Sequence, residues 1–352
     1  MNSINKGIQI SFLIIFAFSD IQAQKNENVI IDYQVKVQSW LAAYKVPAVG
    51  IGIINDGVIR QISVFGDLEK NAPAPYNAIF QVASLTKPVT AMLTLKLVST
   101  GQWHLDEPLY KYWTDPDVIN DKRHLMLTTR HVLTHQTGFD NWRWNNPSEK
   151  LTFNFDPGAR FKYSGEGFEY LKRALENKFN MSLDNLADSI LFKPLDMHDT
   201  WYTWNKNIDT SRYAVPHETI GKVFEIPKNP VPFASDFLKT TIEDYCIFSI
   251  TFMNGAGLSE DVYKDMIRPQ STISKYESYG LGWGIMKDLS NGEFALIHGG
   301  DDAGSHTIVI LLPMSKRGLV VFTNGENGVE VIKKVIIESF ALGQEIVDKY
   351  DW

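Results

Sequence analysis

The chain has 352 residues, and 34 Lys and Arg stand against 41 Asp and Glu, which gives a formal net charge of −7. With 44% hydrophobic and 21% charged residues, the composition is that of a globular protein and excludes a largely disordered chain. The mild negative charge, without basic clusters, argues against binding to nucleic acids. Cys246 is the one cysteine, which excludes an intrachain disulfide and a cysteine-rich metal site.

The first residues have the layout of an export signal. Lys6 supplies a positive start, Gly7–Phe18 is a mostly apolar run, and Ile21-Gln22-Ala23 resembles a small-residue cleavage box. The run is shorter than the roughly 20 residues that cross a bilayer. We therefore predict a signal peptide over residues 1–23, cleaved after Ala23, and a periplasmic or secreted mature protein with no stable membrane span. An uncleaved anchor or a buried helix is the alternative.

The first predicted elements are a helix, a hairpin and a second helix. Apolar residues at helical spacing predict an amphipathic helix over Asn26–Tyr44. Two β-rich runs flank the turn sequence Asn55-Asp56-Gly57 and predict a hairpin over Val49–Leu68. Ser84–Thr100 is apolar on nearly all sides, which predicts a buried helix that ends at Gly101.

The second half of the chain returns to strands after a long middle segment. Short helical patterns and loops alternate from Trp103 to Pro269. Three β-rich runs and one amphipathic helix then follow: Phe294–Gly299, His306–Leu312, Leu319–Asn324 and Val329–Leu342. We predict an α+β fold, with a mainly antiparallel sheet built from both chain ends and flanked by helices. Residues 24–352 form one domain in this prediction. Its sheet lobe covers about 24–84 and 270–352, its helical lobe covers 85–269, and a cleft lies between them.

The predicted buried helix begins with a serine and a lysine in one turn. Residues three apart share a helix face, so Ser84 and Lys87 can approach each other. A serine hydroxyl needs a base to become a nucleophile, and a desolvated lysine can serve as one. The pattern is weak by itself, because Ser3 and Lys6 repeat it within the predicted signal peptide. A plain helix cap at Ser84 with an exposed Lys87 is the alternative.

Longer stretches resemble those of the class C β-lactamase and DD-peptidase superfamily, which includes esterases and D-amino-acid peptidases. The stretches occur in the family's order and span roughly Val49–Asn324. They read FQVASLTKPVTAMLTLKLVSTGQWHLDEPL, TTRHVLTHQTGFD, FKYSGEGFEYL, LFKPLDMHDT, YGLGWGI and IHGGDDAGSHTIVILLP.

The resemblance implies a role for each matching residue. It makes Ser84 the acylated nucleophile, Lys87 its base and Tyr163 the group that moves protons to the leaving group and from water. It places His298-Gly299-Gly300 on a strand beside the nucleophile, with the amides of Ser84 and Asp301 as the oxyanion hole. From the residues alone, a packed tyrosine, a structural histidine and a glycine turn remain alternatives.

Two residues depart from the family's pattern. Gly165 stands where an Asn amide usually holds the lysine and the acyl amide of the substrate, and His298 stands where a Lys is usual. A histidine would leave a weaker or pH-dependent charge opposite a substrate carboxylate, so we expect inefficient β-lactam hydrolysis. Glu166 is a candidate substitute for the missing amide. As a pair, Glu166 and Glu169 fit a solvated helix face better than an acid/base pair.

Three further side chains are weaker candidates. His131 and His135 have an i, i+4 spacing that could bind a metal on a helix, but no third ligand is evident, so we predict core or capping roles and no metal. Trp142 could line the substrate cleft from the helical lobe, or it could serve only in packing.

The sequence thus predicts a secreted serine hydrolase that works through an acyl-enzyme on an amide or an ester. A peptidase or amidase for D-amino-acid or cell-wall-like peptides and a carboxylesterase rank about level. A β-lactamase is less favoured, and a binding protein that keeps the fold without the chemistry is the alternative class. The expected partner is a small molecule or a short peptide, and no cofactor is expected.

Overall fold

The structure is a computed structural model that describes residues 33–69, 72–218 and 222–352. The predicted signal peptide lies outside these residues. Within them, no helix is both long enough and apolar enough to cross a membrane.

A nine-stranded antiparallel sheet is the centre of the fold. Its strand order is β3-β2-β1-β11-β10-β9-β8-β7-β6. The strands are β1 (Ala48–Asn55), β2 (Val58–Glu69), β3 (Ala72–Pro73), β6 (Ser271–Thr272), β7 (Glu277–Tyr279), β8 (Gly284–Met286), β9 (Ala295–Asp302), β10 (Ser305–Leu312) and β11 (Arg317–Thr323). A separate two-stranded sheet pairs β4 (Phe80–Gln81) with β5 (Lys239–Thr240).

The two ends of the chain meet in the middle of the large sheet. Asp56 and Gly57 have φ angles of 55° and 72°, which is the left-handed geometry of a tight hairpin turn and confirms the predicted hairpin. Strand β1 then pairs with β11 from Val49 opposite Thr323 to Ile54 opposite Gly318. The predicted α+β fold with a sheet built from both ends is therefore confirmed.

Helices from both chain ends cover one face of the sheet. They are α1, over residues 33–44, α8 (Gly328–Ser339) and α9 (Gly343–Lys349), and their apolar residues form one core with β1 and β9–β11. The predicted last helix, Val329–Leu342, is wrong beyond Ser339, because Phe340 is extended and a new helix begins at Gly343. A Cβ atom at Gly343 would lie 2.2 Å from the Ile336 carbonyl oxygen, so this close turn requires glycine.

The opposite face of the sheet carries helix α6 (Ile242–Met253). A Cβ atom at Gly52 would lie 2.3 Å from the Cys246 sulfur, so the glycine on β1 lets α6 approach the sheet. Cys246 is fully buried there, and burial raises the pKa of its thiol. The thiol is thus inert, as its apolar sequence context indicates.

Helix α2 (Thr86–Ser99) runs through the interior beside α6. Almost all of its residues are buried, and the chain leaves it through Gly101 with a φ of 72°, so the predicted buried helix and its glycine end are confirmed. The other helices are α3 (Thr129–Leu133), α4 (Gly165–Phe179), α5 (Leu183–Ala187) and α7 (Glu260–Met266).

Candidate active site

Ser84 lies in a tight turn that leads into α2. The turn, Ala83–Leu85, is a 3₁₀ helix, and Ala83 has a φ of 46°, a strained value for a residue with a side chain. The Ser84 hydroxyl accepts a hydrogen bond from the Lys87 Nζ atom at 2.9 Å and makes no capping hydrogen bond to α2. The alternative of a plain helix cap is therefore wrong.

Lys87 is buried beneath the nucleophile. Its side chain is 1% exposed, and Nζ donates both to Ser84 Oγ and to the Ser235 carbonyl oxygen, each at 2.9 Å. The rings of Tyr163 and Phe168 lie 4.8 and 5.9 Å from Nζ. The structure thus brings Ser84, Lys87 and Tyr163 together, and an exposed lysine is ruled out.

Tyr163 is held in place by a buried histidine. Its ring packs on His135 with 4.2 Å between centroids, just before α4 begins. His135 is fully buried, and its Nδ1 accepts a hydrogen bond from the Ser164 amide at 3.1 Å. Burial, helped by the charge of Lys87, lowers the pKa of His135 well below its usual value. A neutral imidazole therefore fixes the orientation of the Tyr163 ring.

His131 and His135, which have a metal-like spacing in the sequence, do not lie on one helix in the structure. Helix α3 ends at Leu133, and His135 has a φ of 53°, so His131 and His135 share no helix face. His131 instead completes a capping box with Thr128, as the capping alternative requires. No group of three potential metal ligands occurs among the described residues.

Strand β9 passes directly beside the nucleophile. A Cβ atom at Gly300 would lie 2.5 Å from the Val82 carbonyl oxygen and 3.2 Å from the Ser84 amide nitrogen. Only glycine permits this approach, so the glycine pair is more than a simple turn. Asp301 follows on the same strand and lines the cleft next to Ser84, where the resemblance places the second amide of the oxyanion hole.

His298 is buried on β9 and is neutral. Its side chain is 5% exposed, and burial together with the charge of Lys87 lowers its pKa to about 3. Nδ1 lies 2.7 Å from the Gly299 carbonyl oxygen and donates to it, which leaves Nε2 as an acceptor with no partner among the described residues. The expected weak or pH-dependent positive charge at His298 is therefore wrong.

Gly165 lies directly under a tryptophan ring. A Cβ atom there would lie 3.0 Å from the Trp142 ring, and the Gly165 amide donates to Asn141 Oδ1 at 2.8 Å. Trp142 stacks on Trp144 with 4.7 Å between centroids. Trp142 therefore has the packing role, and Asn141 is the residue of this loop that lines the cleft.

Glu166 and Glu169, in the first half of α4, are engaged in contacts, so the predicted solvated face is wrong. Glu166 is 5% exposed and accepts from the Arg143 guanidinium at 2.8 Å. Among the described residues it forms no hydrogen bond with Lys87, so it does not replace the missing amide there. Glu169 Oε1 accepts from the Ser235 amide at 3.1 Å and from its hydroxyl at 2.8 Å. Because the Ser235 carbonyl holds Lys87, Glu169 acts one contact away from the site.

A cleft of about 440 Å³ opens over Ser84. It runs around the free edge of β9, which β8 covers only from Ala295 to Ile297. The residues lining it that the sequence analysis missed include Asn141, Tyr279, Glu277, Tyr350 and Asp351. Asn141 directly follows the family-matching stretch TTRHVLTHQTGFD, and this position could have identified it as a cleft residue. Nothing in the sequence connects positions 277 and 350 with Ser84.

The chain matches the family model described as Beta-lactamase over residues 31–337. It is 22% identical over 306 residues to Protein flp of Staphylococcus aureus and 21% identical over 313 residues to Penicillin-binding protein 4* of Bacillus subtilis. These matches cover 79% and 77% of this chain but only 60% and 66% of the relatives' lengths.

Solved structures of the same fold are also similar. A D-alanine carboxypeptidase AmpC from Burkholderia cenocepacia has a TM-score of 0.75 at 18% identity, over 89% of this chain and 99% of that one. An octameric penicillin-binding protein homologue from Pyrococcus abyssi has a TM-score of 0.72 at 20% identity, over 90% and 77%. The resemblance drawn from the motifs is confirmed: the chain belongs to the Beta-lactamase family, within the serine β-lactamase and DD-peptidase superfamily.

Proposed function

We propose that this chain is a serine hydrolase that cleaves an amide or an ester through an acyl-enzyme on Ser84. The observation that carries the proposal is the 2.9 Å contact between Ser84 Oγ and the Nζ atom of the buried Lys87, at the floor of an open cleft. This contact also argues against a binding protein that has lost its chemistry, because a nucleophile and its base are both in place.

The proposed reaction has two steps. Ser84 Oγ loses its proton to Lys87, directly or through Tyr163, and bonds to the substrate carbonyl carbon. The amides of Ser84 and Asp301 hold the oxyanion, where each such donor typically contributes about 3 kcal/mol. Tyr163 protonates the leaving group as its bond to carbon breaks. It then takes a proton from the water that attacks the acyl carbon, and Ser84 Oγ recovers its proton from Lys87 as the bond to the acyl group breaks.

The substrate proposal is a D-amino-acid or cell-wall-like peptide, or a carboxylic ester. The peptide is supported by the similarity of this chain to a penicillin-binding protein and to a D-alanine carboxypeptidase. A neutral His298 makes β-lactams less favoured as substrates, because His298 offers no positive charge to their carboxylate.

We further propose that residues 1–23 direct export of the protein. Intact-protein mass of the mature form, beginning at Gln24, tests that step.

The test of the mechanism is labelling of Ser84. Wild-type protein should gain one adduct mass from a fluorophosphonate and should hydrolyse a p-nitrophenyl ester, and Ser84→Ala should lose both. Ser148→Ala, an exposed serine in a loop, is the matched control and should retain both. If Ser84→Ala still hydrolyses the p-nitrophenyl ester, the proposed mechanism is wrong.

A further inference from the structure

The cleft over Ser84 is lined by acidic residues. Among the described residues that line it, three are carboxylic acids and none is Lys or Arg; the acids are Glu277, Asp301 and Asp351. Asp301 lies 2.9 Å from the His306 ring, so its charge has a local partner. The other two acids form the acidic end of the cleft, and the neutral His298 does not offset them.

Glu277 is the buried member of this acidic end. It lies on the short strand β7, is 4% exposed and forms no ion pair among the described residues. Burial and the nearby Asp351 carboxylate raise the pKa of Glu277 to about 7, and the Asp351 amide offsets this in part. A carboxylate that is removed from water without a cation is costly unless a ligand supplies the opposite charge.

Two tyrosines connect Glu277 with the reaction centre. Tyr279 lines the cleft, and its hydroxyl is buried and has no hydrogen-bond partner among the described residues. Tyr350 interacts electrostatically with both Glu277 and Tyr163, and a Cβ atom at Gly299 would lie 2.7 Å from its hydroxyl. Tyr350 thus connects Glu277 electrostatically with Tyr163, and its hydroxyl lies against β9 at Gly299.

We propose that Glu277, with Tyr279 two residues along the same strand, binds an ammonium group of the substrate, so that the enzyme selects substrates that carry a positive charge. The inference rests on the proposed function and narrows its substrate class. A substrate amine would form a charge-assisted hydrogen bond with the carboxylate and leave no buried charge unpaired. A substrate carboxylate would meet like charge, and this repulsion is itself a source of selectivity.

A series of p-nitrophenyl esters that differ only at the end of the acyl chain tests the subsite. The esters of 6-aminohexanoate, heptanoate and adipate end in an ammonium, a methyl and a carboxylate group. For wild type we expect kcat/KM to fall in that order, with the ammonium ester at least tenfold above the methyl ester. Glu277→Gln should reduce that ratio to below about twofold, whereas Glu260→Gln, an exposed acid on α7, should leave it unchanged.

Binding to Ser84→Ala separates the subsite from the chemistry. Calorimetric titration should show tighter binding of 6-aminohexanoyl p-nitroanilide than of heptanoyl p-nitroanilide. If wild type hydrolyses no ester but Ser84→Ala retains this preference, the proposed function fails and the subsite stands. Equal affinities, a preference for the carboxylate ester, or an unchanged ratio in Glu277→Gln would overturn the inference. If Glu277→Gln does not fold, the order of kcat/KM for the three esters in wild type decides whether the inference stands.

Discussion

The carboxylate of Glu169 is one contact away from Lys87, and its removal should slow the reaction. Glu169 Oε1 accepts from the amide and the hydroxyl of Ser235, whose carbonyl oxygen accepts from Lys87 Nζ. Glu169→Ala would leave both Ser235 donors without this acceptor in a fully buried position. The carbonyl that orients the lysine would then lose its own support.

The size of the effect follows from these contacts. Each buried donor without a partner costs about 1–3 kcal/mol, and the buried Lys172 would also lose its ion pair with Glu169 at 2.7 Å. Glu169→Ala should therefore lower the free energy of unfolding by about 4–8 kcal/mol. A displacement of about 1 Å in a positioned catalytic group can cost on the order of 100-fold in rate, so we expect kcat to fall by between about 10- and 100-fold. KM should change little, because Glu169 is not among the residues that line the substrate cleft.

Two variants separate positioning from general destabilisation. Glu169→Gln keeps an acceptor that is about half as strong, so kcat should fall only about threefold. Glu176 lies on the same helix, has a side chain of similar exposure (18% against 16%) and accepts from the Leu183 amide, far from Lys87. Glu176→Ala should therefore lose stability and keep its kcat. Urea unfolding and p-nitrophenyl ester kinetics measure both quantities. A wild-type kcat in folded Glu169→Ala would refute the reasoning.

Two further predictions concern the residues that depart from the family's pattern. Gly165→Asn should lower the free energy of unfolding by about 1–3 kcal/mol, because its Cβ meets the Trp142 ring. Trp142→Ala should relieve part of that loss in a double-mutant cycle by urea unfolding, and strictly additive losses would contradict the clash. His298 has a folded pKa of about 3, below its unfolded value of about 6.5, so the unfolded state binds more protons between these values and wild type loses stability as the pH falls. His298→Gln lacks this term, so between pH 7 and pH 4.5 the variant should gain about 2–3 kcal/mol relative to wild type; a constant difference would show that His298 has the same pKa in the folded and unfolded states.

Local signals in the sequence account for what could be predicted. The hairpin is specified by its turn residues, and the contact between Ser84 and Lys87 is specified by their spacing within one turn. Strands β6, β7 and β8 have two or three residues each, too few to show a period, so the extension of the sheet beyond β9 was missed.

Contacts between distant segments account for most of what could not be predicted. Ser235 holds Lys87 with a backbone carbonyl, which has no side-chain signature, across 148 positions of sequence. Glu169 was assigned to a solvated face because its partner, Ser235, is 66 positions away. Burial of His298 depends on the same kind of packing, so its loss of charge could not be inferred from its residue type.

The two departures from the family's pattern have different consequences in this chain. Gly165 lacks the side-chain amide that is usual in the family, and two other groups compensate for it. The Ser235 carbonyl holds Lys87, and Asn141 lines the cleft. The missing cation at His298 is not offset, because the described residues that line the cleft include no Lys or Arg and add two further acids, Glu277 and Asp351. The first change leaves the contact between nucleophile and base intact, and the second reverses the charge that the cleft presents to a substrate. We therefore expect the chemistry of the family to be retained here with a different choice of substrate.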